Sequence, residues 1–334
     1  MLTTTVAGRT WQFKRAVGRI SAAGPGFMQP YDVTTGPEGE LYVLSRGAAV
    51  LGGGFAVNVR IGKVTMDDHF LGDFGKSEFV WPVALAVDSG GNLFCSDEHL
   101  NTISSYNQDG ERIGEWGEGG SGEGQLNGAN GIAFDADDNI YVVDSGNNRI
   151  QKFTQDGGFI SSFGCGGSEE GQFDSPWGIT ITSDGHLYVA DWGNNRVQKF
   201  SLDGSYLLTF GGVYPNGGEL NHPASVAVDS EGDVYVSDWG NKRVQIYEPD
   251  GNIITALRGD AIELSPLAKE FFDANPDTEK AYRRVEDRTL IGLFNRPIGI
   301  VIDEDDNLIV TDSCRGRLQI YAKEKDYMDP QFNL

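Results

Sequence analysis

The sequence predicts an all-β fold, a six-bladed β-propeller, from one repeated unit. This unit begins at Gln125, begins again 47 residues later at Gln172, and begins once more after another 47 residues at Glu219. Each copy holds two apolar runs separated by a turn of Asp, Gly and Asn, which is typical of a four-stranded antiparallel blade stacked around an axis. Weaker copies bring the total to six, and they begin at Phe27, Phe79 and Phe294.

Ring closure is predicted from the two ends of the repeat array. The last copy ends after its third strand, because the chain turns polar beyond Tyr321. The stretch from Thr10 to Ile20 (TWQFKRAVGRI) alternates in the manner of a strand and precedes the first complete unit. We expect it to supply the missing outer strand, which leaves only short, protected sheet edges. With 39% hydrophobic residues and no linker-like change of composition, residues 1–334 are predicted to form a single propeller domain.

Charge and composition limit the partners and the compartment. Acidic residues outnumber basic ones by 49 to 26, a formal net charge of −23 that repels phosphate groups, so we expect neither nucleic acid nor a membrane as partner. No apolar run is long enough to span a bilayer, and residues 1–10 lack the pattern of a leader. The three cysteines fit neither a zinc spacing nor a disulfide framework, which favours a reducing, cytoplasmic location.

Two segments resemble a known repeat family. They are NIYVVDSGNNRIQKF at 139–153 and HLYVADWGNNRVQKF at 186–200, and they are similar to the NHL repeat. The likeness runs from Phe27 to Tyr321 apart from two insertions, and it implies a six-bladed propeller. NHL propellers include protein-binding platforms, RNA-binding domains, sensor domains and lyases, so the resemblance does not choose among functions.

One pair of charged residues recurs in the repeat and is predicted to be structural. An aspartate closes the second strand of four blades, and an arginine follows five residues later across the next loop. Charge-assisted hydrogen bonds between the two would hold this loop in place. The pairs are Asp144 with Arg149, Asp191 with Arg196, Asp238 with Arg243, and Asp312 with Arg317.

Function is therefore expected where the repeats differ. In a propeller, the start of each inner strand and the loop between the second and third strands lie on one face, around the mouth of the central channel. Aromatic and polar residues gather at these positions, as a ligand or peptide pocket requires. The predicted ligand-binding residues are Tyr31, Arg46, Trp81, Asn130, Trp177, Trp192, Trp239 and Arg296. Arg46 and Arg296 could hold a carboxylate or another anion, whereas packing between blades is an alternative role for Trp192 and Trp239.

A longer insertion, residues 260–293, joins the outer strand of blade five to the inner strand of blade six. Ser265-Pro266 and Asn275-Pro276 each provide a cap followed by a proline in the first turn, which predicts helices over 266–274 and 276–288. We expect this helical insertion on the mouth side, above His222 and Arg296. It would act as a lid, or as a docking surface for a partner or for a second copy of the chain in a homo-oligomer.

A second resemblance bears on catalysis. The stretch LYVLSRG at Leu41 to Gly47, which precedes a shorter insertion at 48–56, is similar to the segment of peptidyl-hydroxyglycine amidating lyases that carries their active-site arginine. The likeness makes Arg46 the counterpart of that arginine. Those lyases hold zinc in the channel with three histidines, and the zinc site is not preserved here, because the matching positions are Asn101, Asn130 and Ile298.

Metal binding and catalysis rest on few other groups. His99 and His222 are the histidines near the mouth, and two imidazoles would bind a divalent metal only with help from carboxylates or amides. The cofactor prediction stays open between no cofactor and a divalent metal in the channel. The candidate catalytic residues are His222, His99 and Arg46, and Asp32 is the inner-strand acid placed to face the channel.

Two hypotheses about function follow. The leading one is a propeller that binds a small anionic ligand or a protein segment at the channel mouth. The alternative is a lyase or hydrolase that acts on a small anionic substrate at the same mouth. The sequence does not decide whether the protein is an enzyme.

Overall fold

The computed structural model describes residues 3–6, 8–50, 54–212 and 219–324. Within these ranges the chain forms a six-bladed β-propeller, as the sequence predicts, and it contains three short helices. Residues 51–53, in the middle of the shorter insertion, lie outside the described residues, and the segments on either side of them pair as a small hairpin. No helix of the described chain is long and apolar enough to cross a membrane.

The first half of the chain supplies the closing strands and blades one to three. In chain order its strands are β1 (Thr3–Val6), β2 (Arg9–Val17), β3 (Pro30–Thr35), β4 (Leu41–Ser45), β5 (Ala48–Val50), β6 (Gly54–Val57), β7 (Arg60–Val64), β8 (Phe70–Phe74), β9 (Pro82–Val87), β10 (Leu93–Asp97), β11 (Thr102–Tyr106), β12 (Arg112–Trp116), β13 (Ala129–Phe134), β14 (Ile140–Asp144), β15 (Arg149–Phe153) and β16 (Phe159–Phe163).

The second half supplies blades four to six and the helices. Its strands are β17 (Cys165–Gly166), β18 (Gln172–Phe173), β19 (Pro176–Ile181), β20 (His186–Asp191), β21 (Arg196–Ser201), β22 (Tyr206–Phe210), β23 (Pro223–Val228), β24 (Val234–Asp238), β25 (Arg243–Tyr247), β26 (Ile253–Leu257), β27 (Pro297–Ile302), β28 (Asn307–Asp312) and β29 (Arg317–Glu324). Between β26 and β27 lie the helices α1 (Pro266–Asp273), α2 (Pro276–Arg283) and α3 (Thr289–Gly292).

Each blade is an antiparallel sheet whose first strand lies innermost. The inner strands β3, β9, β13, β19, β23 and β27 contact one another in this order and close a ring around the channel. Their close approach depends on glycine, because a Cβ at Gly131 would lie 2.6 Å from the Trp177 carbonyl oxygen of the next blade. A Cβ at Gly178 would meet the Ala224 carbonyl oxygen at the same distance.

Blade six is completed by the N-terminal segment, as predicted. β2 pairs with β29 from Thr10 opposite Glu324 to Val17 opposite Leu318, and β1 adds a fifth strand outside it. The closing strand ends at Val17 rather than Ile20, because Gly18 leaves the strand with a φ of 85°. Pairing the two ends of the chain removes the open edge that either strand would otherwise expose.

The core is divided among the six interfaces between neighbouring blades. Each interface holds one cluster of buried apolar side chains, and the one between blades five and six includes Trp11, Tyr235 and Tyr321. Burial of such aromatic side chains removes a large apolar area from water, so these clusters supply most of the driving force that holds blades together.

The recurring acid and arginine bind each other in all four blades. The distances from arginine Nε to aspartate Oδ2 are 2.7, 2.8, 2.6 and 2.9 Å in blades three to six. The other oxygen, Oδ1, accepts a hydrogen bond from the backbone just before the inner strand, as in Asp191 with Asp174 N–H at 2.8 Å. Because the aspartates are fully buried, this ion pair has a structural role in each of the four blades, where it holds the loop between the second and third strands, as the sequence predicts.

A cluster of charges locks the closing blade to blade five. Lys323 on β29 is buried, and its Nζ lies 2.6 Å from Asp229 Oδ2 and 2.8 Å from Asp233 Oδ2. Arg9 on β2 binds the same Asp233 carboxylate through Nε at 2.7 Å. Arg9 of β2 and Lys323 of β29 thus both form ion pairs with the acidic turn between β23 and β24.

The helical insertion differs in detail from its prediction. Ser265 caps α1 as expected, because its Oγ accepts a hydrogen bond from Ala268 N–H at 3.1 Å. Asn275 does not cap α2 with its side chain, which instead donates to the Phe271 carbonyl oxygen. α2 ends at Arg283 rather than at residue 288, and the third helix, α3, was not predicted.

Candidate functional site

The backbone is strained where the inner strands begin at the mouth. Gln29, Ser175, His222 and Arg296 immediately precede the strands of blades one, four, five and six, and their φ angles are 52°, 51°, 55° and 65°. Left-handed backbone in residues other than glycine costs on the order of 1 kcal/mol and persists where the surroundings hold it. At Ser175 the surroundings do so through its N–H, which donates to Asn148 Oδ1 of the preceding blade at 2.7 Å.

Tyr31 and Trp177 meet across the mouth. They belong to blades one and four, which oppose each other in the ring, and their ring centroids are 6.1 Å apart. Both side chains line the top of the central cavity. Burial raises the pKa of Tyr31 to about 12, so the phenol is neutral at physiological pH. The two rings therefore cover the channel and separate it from the mouth surface.

An unbroken chain of ring and cation contacts extends from this pair in both directions, and we call it the aromatic belt. Trp177 contacts Trp192 at 5.8 Å, Trp192 contacts His222 at 4.0 Å, and His222 contacts Trp239 at 6.3 Å between centroids. On the other side the belt continues through Arg46 to Trp81 and His99. The structure thus brings together every predicted ligand-binding residue except Asn130 in one contact chain.

Arg46 is paired at the mouth. It forms an ion pair with Glu98 of blade two, and its guanidinium lies over the rings of Tyr31 and Trp81, with distances of 4.4 and 5.4 Å from Cζ to the centroids. Glu98 neutralises this cation, so an anionic ligand at Arg46 would compete with a carboxylate already in place. Arg46 is therefore less suited to anion binding than the sequence predicts.

Sequence analysis missed Glu98, although a signal was present. Arg46 follows the last residue of β4, and Glu98 follows the last residue of β10. The two residues therefore occupy the same repeat position in consecutive blades. Opposite charges at one repeat position in neighbouring blades predict an ion pair between them, and an alignment of the repeats would have found it.

Arg296 offers the more available cation. It is exposed, and its Cζ lies 5.4 Å from the centroid of Trp239. Within the ranges that the structure describes, no carboxylate lies within ion-pair distance of Arg296. A guanidinium that rests on an indole ring keeps its donors directed outward, which suits recognition of a carboxylate.

His99 and His222 do not come together. They lie on blades two and five, which oppose each other, and the aromatic belt runs between them. Among the described residues, no three His, Cys, Asp or Glu side chains are grouped so that they could hold a metal ion. The geometry does not support a metal site shared by His99 and His222.

The positions that match the zinc ligands of amidating lyases have other roles. Asn101 Oδ1 accepts a hydrogen bond from Gly128 N–H of the next blade at 2.6 Å, and Ile298 is a buried residue of the channel wall. Asn130 is 5% exposed, and its Oδ1 has no hydrogen-bond partner in the described part of the chain. Nε1 of Trp192 is likewise buried without a partner there.

The channel beneath Tyr31 and Trp177 is a cavity of about 290 Å3 lined by all six inner strands. Asp32, on the inner strand of blade one, faces it. Its Oδ2 accepts a hydrogen bond from Leu85 N–H at 2.8 Å. Burial raises the pKa of Asp32 to about 7 against the lowering effect of the hydrogen bonds from Leu85 and Val33.

The helical insertion packs on the outer edge of the ring, where blade six meets blade one. Asp68, in the turn between β7 and β8, accepts hydrogen bonds from Gly18 N–H at 2.6 Å and from Leu267 N–H at 2.8 Å. Ser265 Oγ donates to the Gly18 carbonyl oxygen at 2.7 Å. These contacts anchor α1 beside the closing strand.

Comparison with known proteins agrees with this architecture. The model of the NHL repeat matches residues 126–153, 173–200, 220–247 and 294–321, which fall in blades three to six. No protein among the curated ones matches the sequence significantly.

Solved structures share the fold at low sequence identity. A streptogramin B lyase is 14% identical with a TM-score of 0.58, and the alignment covers 94% of this chain and 98% of that one. Virginiamycin B lyase from Staphylococcus aureus is 16% identical with a TM-score of 0.58, over 93% and 99% of the two chains. A protein of unknown function from Bacteroides thetaiotaomicron is 15% identical with a TM-score of 0.63, over 95% and 76%. At such identities the likeness concerns the fold alone.

Proposed function

We propose that this chain, a six-bladed propeller built with NHL repeats, binds an extended protein segment with an acidic side chain across its aromatic belt. The observation that carries the proposal is the unbroken contact chain from His99 to Arg296. Tryptophan, tyrosine and arginine dominate the binding energy of protein interfaces, because they combine a large contact area with polar groups.

The shape of the surface supports an extended ligand over a compact one. Tyr31 and Trp177 close the channel, so the belt is a surface that spans several blades rather than a deep pocket.

The positive charge of Arg296 is the reason for proposing an acidic side chain in the ligand. Arg296 is the belt cation that lies outside any ion pair of the described residues, whereas Glu98 already neutralises Arg46. We therefore assign the ligand carboxylate to Arg296. A guanidinium forms two parallel hydrogen bonds with a carboxylate, and this local geometry outweighs the screened field of a distant net charge of −23.

A peptide-display selection with random sequences tests the proposal. We expect enrichment of peptides that place Asp or Glu next to aromatic or large apolar residues, and loss of their binding in Arg296→Ala and Trp177→Ala. Removing a charge-assisted hydrogen bond typically weakens binding about tenfold or more. Arg112→Ala, on the outer strand of blade two, is the matched control and should bind normally. Selection of peptides without acidic residues, or equal binding by Arg296→Ala, would contradict it.

A lyase or hydrolase acting at the same mouth is the second candidate. The observation that favours it is the hydrogen bond between His222 Nδ1 and Asn221 Oδ1 at 2.6 Å. An amide oxygen only accepts, so Nδ1 is the donor in this contact, and in the neutral form of the ring Nε2 then carries the lone pair. If His222 is the general base, His222→Ala should lower the activity on a small anionic substrate. His69→Ala, in the turn between β7 and β8, should leave this activity unchanged.

A further inference from the structure

The central cavity holds one carboxyl group among its described lining residues. Its wall is built from all six inner strands, and among the described residues that line it Asp32 is the only one with an ionised form at neutral pH. The remaining lining is apolar or carries hydroxyl groups, as in Thr34 and Ser225. A carboxylate enclosed in such a wall is costly unless a partner compensates its charge.

The propeller does not require an acid at this position. Asp32 is the second residue after the proline that opens its inner strand, and the residues at the same repeat position in the other blades are small. They are Ala84, Gly131, Gly178, Ser225 and Gly299. Five blades therefore pack without a carboxylate at this position. The Asp32 side chain instead lines the cavity and accepts one hydrogen bond from Leu85 N–H of blade two.

Asp32 has no side-chain partner for its charge among the described residues. Oδ2 accepts a hydrogen bond from Leu85 N–H at 2.8 Å, and Val33 N–H also donates to the carboxylate. Within the described ranges no side chain donates to Asp32 and no cation pairs with it, and the residue keeps partial exposure toward the cavity. The titratable neighbours are Tyr31 and Cys95, and burial raises the pKa of both, so neither supplies a compensating charge near pH 7.

The far end of the channel is suited to admit a cation. A second cavity of about 470 Å3 continues from the first and shares Thr180, Ile181, Ile300 and Val301 with it. Its lining includes the acids Asp303, Glu304 and Asp306, as well as Asp229, which is paired with Lys323, and no lysine or arginine belongs to the described lining. Acids that surround an opening focus a negative field and raise the local concentration of cations.

The near end presents the opposite charge. Arg296 is the cation of the aromatic belt that lies outside any ion pair of the described residues, whereas Glu98 neutralises Arg46. The two ends of the channel therefore differ in charge. The mouth end has aromatic rings and Arg296, whereas the far end opens between acidic side chains. A cation would approach Asp32 from the acidic end.

We propose that the channel beneath Tyr31 and Trp177 binds a small organic amine whose ammonium group pairs with Asp32. A divalent metal ion fits less well, because a single carboxylate compensates only part of its charge. An amine places its ammonium group on the Asp32 carboxylate and its carbon skeleton against the valines and isoleucines of the inner strands. The faces of Tyr31 and Trp177 are also favourable for a cation, and the volume limits the ligand to a small molecule.

Calorimetry and thermal unfolding with defined probes test this inference. The probes are methylamine, butylamine and benzylamine, each compared with the alcohol of the same skeleton at pH 8. We expect one or more amines to bind and raise Tm at millimolar concentration, and the matched alcohols to have no comparable effect. Asp32→Asn should weaken amine binding about tenfold or more, because it removes the charge of the acceptor.

Two controls keep the test decisive. Asp32→Gly introduces glycine, the residue that blades three, four and six have at this position. We expect this variant to fold, so it replaces Asp32→Asn in the test if Asp32→Asn does not fold. Asp137→Asn, in the exposed turn between β13 and β14, removes the same charge away from the channel and should bind amines like the unaltered protein. Absence of binding by all three amines, equal binding of the alcohols, or undiminished amine binding in both Asp32 variants would overturn the inference.

Discussion

Tyr31 and Trp177 lie on opposing blades, yet their ring centroids are only 6.1 Å apart across the axis of the propeller. This contact separates a mouth surface above the rings from the channel cavity below them. The surface collects tryptophans, histidines and two arginines, whereas the cavity contains one carboxylate in an apolar wall. The two compartments therefore differ in the charged groups that they present.

The ion pair between Arg46 and Glu98 should couple blades one and two. We expect Arg46→Ala and Glu98→Gln to show a coupling free energy of about 1 kcal/mol in a double-mutant cycle, since both side chains are partly exposed. Urea unfolding of the two single variants and the double variant measures this coupling. It should diminish in high salt. Strictly additive effects of the two substitutions would show that the pair contributes nothing to stability.

The charge cluster at Lys323 should control ring closure. Lys323→Met leaves Asp229 and Asp233 buried with less compensation, and loss of one partner of a buried ion pair typically costs about 3 to 5 kcal/mol. We expect a lower urea midpoint and faster hydrogen exchange in β2 and β29. Lys14→Met makes the same change at an exposed position of β2, and it should alter neither the urea midpoint nor the hydrogen exchange of these strands. Unaltered exchange of β2 and β29 in Lys323→Met would refute a locking role.

Asp68 should determine whether the helical insertion stays attached. Its two oxygens accept hydrogen bonds from Gly18 N–H and Leu267 N–H, and Asp68→Asn replaces one of these acceptors with a donor. Limited proteolysis should then cut residues 266–292 faster while the blades remain intact. The neighbouring Asp67→Asn removes an exposed ion pair with Arg15 and should leave the cleavage rate unchanged. Equal rates in the two variants would rule out this anchor.

Asp32 should make stability depend on pH. Its pKa in the folded protein is raised to about 7, whereas an aspartate in the unfolded chain titrates near its ordinary value of about 4. Between these values the folded state binds more protons, so the contribution of Asp32 to stability increases as pH falls from about 7 toward about 4. Urea unfolding should show the unaltered protein gaining stability relative to Asp32→Asn over this interval. A constant difference between the two proteins would contradict it.

Periodic features were predictable because they are local and repeated. The blade count, the closing strand and the aspartate to arginine ion pair each follow from residues that recur at constant spacing. The predicted ligand-binding residues other than Asn130 also lie in one contact chain, since the propeller topology brings the same positions of every blade to one face. The helix bounds were less accurate, because Asn275 uses its side chain on the preceding turn rather than as a cap.

The amino-acid sequence by itself determined the propeller, its closure and the face on which the variable residues gather, because apolar periodicity and turn residues act over short distances. Tertiary structure alone decided which of these residues meet. It paired Arg46 with Glu98, brought Tyr31 against Trp177, kept His99 apart from His222, and set the insertion beside Asp68. These contacts depend on ring diameter and blade twist, which arise from packing of all six sheets at once and are not contained in any single repeat.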